Sequence, residues 1–279
     1  TFGSMSVGAR NVFSSAFEPM LFDVVHIPVP TKGREEESLN ALKSAIDKNT
    51  AAFIFEPLIQ GAAGMIMYEP EALDQLLAVC KEHNVITIAD EVMTGFGRTG
   101  KMFATDYCTN KPEIICLSKG ITGGFMSLGT TLCTKEIYSA YLTDDRTKTF
   151  FHGHSYTANP LACAAAVANL EWFEKENVFD SIDRISSAMK LACKEFATHP
   201  KVADARCIGT IFAIEISTDE KTGYLNAIGE NVAEFFQKNG IVLRPLGNVV
   251  YLIPPYCLSG EEFKKIIHVI GEFLNLENT

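Results

Sequence analysis

Ile86-Thr-Ile-Ala-Asp90-Glu91 and, after a glycine-rich interval, Ile114-Ile-Cys-Leu-Ser-Lys119-Gly120 are the stretches on which the fold turns. Each is an apolar run too short for a helix, and a charged residue follows each one. Similar runs occupy Ala51 to Phe55 and Leu128 to Cys133. Between the Ala51 to Phe55 run and the run at Val85 to Ala89, Pro70 to Asn84 carries Leu73, Leu76, Leu77 and Cys80 at helical spacing, which predicts a crossover helix. Strands alternating with helices make an α/β sheet, mostly parallel, with its strands buried on both faces. In such a sheet Asp90 and Lys119 emerge together at the carboxyl edge, where open α/β sheets bind ligands.

Beyond this sheet, Asn159-Pro160 opens an Ala-rich stretch through Trp172, and Ile182, Ile185, Met189 and Leu191 continue a helical pattern. After Pro200 the pattern changes. Thr210 to Ile216, Ile241 to Arg244 and Val249 to Ile253 read as strands, with helices near Ile228 to Asn239 and from Gly260. This predicts a smaller α+β C-terminal domain, residues 181–279, beside a large domain, residues 1–180. Thr1-Phe-Gly-Ser-Met-Ser6 shows neither a helix start nor a polar tail, so we expect the natural chain to begin earlier.

Composition narrows the function classes. Of 279 residues, 47% are hydrophobic and 21% charged, enough apolar material for a large core. The formal net charge is -10, and Lys and Arg form no stripe, which argues against nucleic acid. No apolar run approaches the ~20 residues of a membrane span, and no signal peptide is visible, so a cytoplasmic protein is expected. Eight cysteines, never as CxxC, read as reduced, buried thiols; no metal site is expected.

Gly95-Phe-Gly-Arg-Thr-Gly100-Lys101 satisfies two nucleotide-binding patterns at once. Met102 stands where a P-loop requires Ser or Thr, and no uninterrupted strand feeds the glycines as a Rossmann loop requires. A glycine-rich turn fits better.

Asp90 and Lys119 together have a chemical use. A lysine amine bonds to an aldehyde cofactor, and a carboxylate beside a pyridine nitrogen keeps that nitrogen protonated. The competing reading is an Asp that caps a turn and a solvated loop lysine. Three motifs favour the chemical reading. Ala89-Asp-Glu-Val-Met-Thr-Gly-Phe-Gly-Arg-Thr-Gly100, Ser118-Lys-Gly-Ile-Thr-Gly-Gly124 and Glu56-Pro-Leu-Ile-Gln-Gly61 resemble signatures of the class III, fold type I pyridoxal 5′-phosphate (PLP) aminotransferases, and the likeness extends over essentially the whole chain.

The resemblance implies that Lys119 holds the cofactor and moves the proton, and that Asp90 pairs with the ring nitrogen. It also implies that His154 and Ser155 meet the cofactor phosphate of a neighbouring subunit, making a homodimer with shared active sites. An ordinary turn is the alternative there, and His152 reads as structural.

Met93 departs from the glutamine usual in the family. That departure, with Leu243-Arg-Pro-Leu-Gly-Asn-Val-Val-Tyr-Leu-Ile-Pro-Pro-Tyr256, is similar to the biotin-pathway branch. The branch implies 8-amino-7-oxononanoate as acceptor and S-adenosylmethionine or lysine as donor. Arg244 would anchor the acceptor carboxylate, with Gly153 and Tyr251 beside the substrate. Arg244 paired to an acid, and Tyr251 in the core, remain the alternatives. The family's ring-stacking tyrosine and earlier phosphate loop would precede residue 1. Another class III ω-amino acid or diamine reaction, or an inactive fragment, is the competing function.

Overall fold

A computed structural model describes residues 2–276. Two larger sheets and a two-stranded ribbon, Ile59–Gln60 with Ile66–Met67, organise them. In chain order the elements are α1 (Phe2–Val7), α2 (Glu35–Ala45), β1 (Ala52–Phe55), β2 (Ile59–Gln60), β3 (Ile66–Met67), α3 (Pro70–Glu82), β4 (Ile86–Asp90), β5 (Ile114–Leu117), β6 (Thr130–Cys133) and α4 (Lys135–Ser139). Then come α5 (Pro160–Lys175), α6 (Val178–Phe196), β7 (Val202–Ile208), β8 (Ile211–Ile216), α7 (Ile228–Lys238), β9 (Val249–Leu252) and α8 (Gly260–Leu274).

The first sheet runs β1-β4-β5-β6. Its first three strands are parallel, with Ile54 opposite Ile88 and Asp90 opposite Cys116; β6 is antiparallel. The parallel pairs need crossovers, and α3 supplies the first. Pro70 starts that helix without losing an amide partner, and Leu73, Leu76, Leu77 and Cys80 are buried along one face. Burial on both sheet faces is not complete as the sequence predicted: Ile54 and Ile86 stay 37% and 38% exposed.

The second sheet, β7-β8-β9, is antiparallel and carries α6, α7 and α8. Ile185 and Met189 of α6, Phe236 of α7 and Phe273 of α8 share one core with Phe212 and Ile214 of β8. Ser259 and Glu262 close a capping box at the start of α8. A mixed cluster of Ile59 and Met65 with Ile211, Leu246 and Val249 joins the sheet regions. Arg206 adds hydrogen bonds from β7 to the carbonyls of Gly64 and Met65. Gly209 lies so close to Arg98 and Thr99 that a β-carbon there would overlap their backbone.

Several expectations need correction. Ile241 to Arg244 is not a strand; it finds no ladder partner among the described residues, and Val242 is 93% exposed. β7 was not anticipated, because Asp204 and Arg206 and a register shift near its start obscure its alternation. α1 forms where no helix start was read, while Thr1 lies outside the described residues. The thiols are not uniformly buried: Cys80 and Cys108 are, whereas Cys133 and Cys257 are exposed. Among the described residues no helix is long and apolar enough to cross a membrane.

Candidate active site

Glu56, Asp90 and Lys119 follow or end three adjacent parallel strands, so the sheet delivers all three to one edge. Asp90 closes β4, and its Oδ1 accepts the Val92 amide at 3.0 Å. Its Oδ2 carries no hydrogen bond among the described residues, which leaves an acceptor for a ligand. Lys119 lies two residues beyond β5 with a left-handed backbone, φ 47°. Its amine carries no hydrogen bond or ion pair among the described residues and lines a cavity of 640 Å³.

The turn that bears Lys119 is held from several sides. Ser118 Oγ donates to Leu128 O at 2.6 Å, and Asn169 of α5 donates to the carbonyls of Gly120 and Ile121 at 2.9 and 3.2 Å. Below it sits the Phe96 ring, so close that a β-carbon at Gly120 would lie 3.0 Å from it. Phe96 in turn accepts a hydrogen bond at its carbonyl from Tyr256 at 2.6 Å.

The loop carrying Phe96 is closed by Glu91, whose side chain is fully buried. Oε2 accepts from Thr94 Oγ1 at 2.5 Å and Ala104 N at 3.0 Å; Oε1 accepts from Thr105 N and Thr105 Oγ1, both at 2.8 Å. Four donors thus satisfy both oxygens without a cation. The glycine-rich segment is a turn, as expected: Gly97 and Gly100 have φ 90° and 106°, and no phosphate-binding helix begins at Lys101.

Glu56, which opens the Glu56-Pro-Leu-Ile-Gln-Gly61 motif, directly follows β1. Its Oε2 accepts the Gly61 amide at 3.0 Å. Burial raises its carboxyl above the usual range; the Gly61 amide offsets part of this, Asp90 adds to it and Lys119 opposes it. A raised folded value means that stability from the protonated group is present below the unfolded carboxyl value, about pH 4.3, and is lost as pH rises through the folded value. Melting curves of Glu56→Gln from acid to neutral pH should therefore decline less than those of the wild type. An unchanged decline would show that Glu56 is not the group titrating.

Arg244 and Tyr251 line the same cavity as Lys119, with Met65, Met93, Leu246 and Ile253 forming apolar wall. Arg244 makes no ion pair among the described residues. Gly153, His154 and Ser155 are not brought to this cavity. They sit in an exposed turn in which His154 N donates to Thr157 Oγ1 at 3.0 Å, and a β-carbon at Gly153 would meet nothing within 4 Å. His152 is exposed too, its ring 5.7 Å from Phe150. Sequence reasoning missed Glu91, Asn169, Phe13 and Tyr224. Of these, only the polar Asn169 inside an Ala-rich helix offered a signal.

An amine and a carboxylate delivered by neighbouring parallel strands to one sheet edge, the amine lining a roomy cavity, are an arrangement that suits the cofactor site of a fold type I transferase. The chain matches the family described as Aminotransferase class-III over residues 1–274, and it belongs to that family. It is 43% identical to adenosylmethionine-8-amino-7-oxononanoate aminotransferase of Synechococcus elongatus, an alignment covering 99% of this chain and 66% of the relative. With the Helicobacter pylori protein of that name it shares 41% identity over 99% of this chain and 64% of the relative. The crystal structure of the Methanocaldococcus jannaschii protein of that name superposes with a TM-score of 0.90 at 39% identity, covering 98% of this chain and 65% of that one. The chain therefore spans about two thirds of the length of these relatives.

PLP is the cofactor of this family, and the donor set fits it. Lys119 brings an amine to the cavity, and Gly123 and Gly124 line it without side chains that would fill it; Asp90, at the end of the neighbouring strand, keeps an uncommitted carboxylate oxygen but is not among the lining residues.

Proposed function

We propose that the full-length protein transfers an amino group from S-adenosylmethionine to 8-amino-7-oxononanoate, forming 7,8-diaminononanoate for biotin synthesis. The observation that carries this reading is the shared cavity of Lys119 and Arg244, walled by Met65, Met93, Leu246, Tyr251 and Ile253. A largely apolar acid needs apolar wall along its chain and a cation at its far end. Guanidinium suits that end because it pairs with a carboxylate in a planar, bidentate geometry.

When bound, PLP supplies an aldehyde carbon that carries the amino group and a ring that takes up the electron pair freed when carbon loses a proton. Lys119 anchors it, then removes and returns the proton at the substrate carbon. Asp90 holds the proton at the ring nitrogen. Arg244 sets how deep the acceptor enters, which places its keto carbon near the Lys119 amine.

His154 and Ser155 complete the phosphate site of a second copy, and Gly153 lies beside that copy's substrate. Their exposure in one chain supports this, as do the uncovered Phe150, Phe151 and Tyr156 around them, 62%, 82% and 72% exposed. The division into a cofactor-binding unit, 1–180, and a smaller unit, 181–279, is supported by the separate sheets, with α6 at the junction.

Amination assays on the full-length enzyme test the reading. Arg244→Ala should lower kcat/KM for 8-amino-7-oxononanoate by about 10–100-fold, with little change for short keto acids that cannot reach residue 244. Equal loss for both acceptors would remove Arg244 from substrate recognition.

A further inference from the structure

Phe13 and Tyr224 come from distant parts of the chain and meet edge to face, ring centroids 4.8 Å apart and planes at 69°. Phe13 belongs to the irregular segment after α1, and Tyr224 to the loop between β8 and α7. Both line the cavity that holds Lys119. Both also remain open, Phe13 at 54% and Tyr224 at 41% exposure, which puts them on its solvent side. Ring surface left open at the entrance of a cavity gains from being covered by a flat ligand group. The Tyr224 hydroxyl has no hydrogen bond among the described residues.

The charges of the cavity sharpen the point. Its described lining contains Arg98, Lys119 and Arg244 but one acid, Glu56. That acid is already engaged by the Gly61 amide and lies beside Lys119. With three cations in the lining and its one carboxylate engaged, the ring faces of Phe13 and Tyr224 are what this cavity offers to attract a cationic group.

We propose that Phe13 and Tyr224 select the amino donor by holding the adenine base and the sulfonium of S-adenosylmethionine. The base supplies the flat surface that covers the rings, and the sulfonium supplies the charge their faces attract. Free lysine offers no flat group, so the pair discriminates against it. This inference rests on the proposed function and extends it to the recognition of the amino donor in the same cavity.

The test separates the two half-reactions in the full-length holoenzyme. The donor half-reaction is followed in a single turnover by the cofactor's visible absorbance against S-adenosylmethionine concentration. The acceptor half-reaction is followed with 8-amino-7-oxononanoate on enzyme already carrying the amino group. Phe13→Leu and Tyr224→Leu should each need about tenfold more S-adenosylmethionine for half-saturation, with the acceptor half-reaction changed less than twofold. Tyr224→Phe should restore the wild-type donor concentration. An unaltered donor half-reaction, or equal weakening of both halves, would overturn the inference and leave the proposed function standing. A wild type aminated by lysine and not by S-adenosylmethionine would overturn both.

Discussion

Lys119→Ala in the full-length protein should lose the absorbance of lysine-bound cofactor and slow transamination by at least about 10²–10⁴-fold. Two roles end together in this variant. The amine that anchors the aldehyde is gone, and so is the base that moves the proton at the substrate carbon. Ala introduces little new backbone strain, because residue 119 already carries a β-carbon at φ 47°. Asn169 and Ser118 still hold the turn through contacts that do not involve the lysine side chain. The melting temperature of the cofactor-free protein should therefore stay near that of the wild type, which separates chemistry from folding. A primary amine such as methylamine should restore part of the proton transfer. Retention of the lysine-bound absorbance in Lys119→Ala would refute the assignment.

Glu91→Gln should cost about 3 kcal/mol of stability, although it changes one atom far from any substrate. Its carboxylate accepts four hydrogen bonds, two of them from the Ala104 and Thr105 amides, which can only donate. An amide side chain keeps one oxygen. Its NH₂ must then face a buried backbone N–H, donor against donor, in whichever rotamer it adopts. The loop between Asp90 and Thr105 loosens, and with it Phe96, the support beneath Gly120. Both a lower melting temperature and weaker cofactor retention are expected. Thr94→Val removes one hydroxyl donor and leaves the amides satisfied, so it should cost only about 1 kcal/mol. Equal melting of Glu91→Gln and wild type would show that the loop does not depend on this carboxylate.

The two variants differ in what made them foreseeable. Lys119 stands at the end of an apolar run, beside glycines, in a motif whose order along the chain repeats the order of the strands. Glu91 was visible only as the residue after Asp90. Its four donors come from residues 94, 104 and 105, and nothing local marks them as its partners. The same holds for Phe13 and Tyr224, which are 211 positions apart and touch only in the folded chain. Errors about elements have a related cause. Ile241 to Arg244 has strand-like residues but no ladder partner among the described residues, whereas β7 contains charged residues and pairs with β8 regardless.

Alternating apolar runs, helical spacing and strand-end motifs, all short-range properties of the chain, were enough to determine the α/β sheet and the delivery of Asp90 and Lys119 to one carboxyl edge of it. Only the tertiary structure decided which distant groups surround that site: Asn169 over the lysine turn, Glu91 under the glycine-rich loop, Arg244 and Tyr251 in the shared cavity, and two rings at its entrance. Local pattern records what each residue prefers, but contacts between remote residues depend on how sheets and helices pack, and that is written in no single stretch.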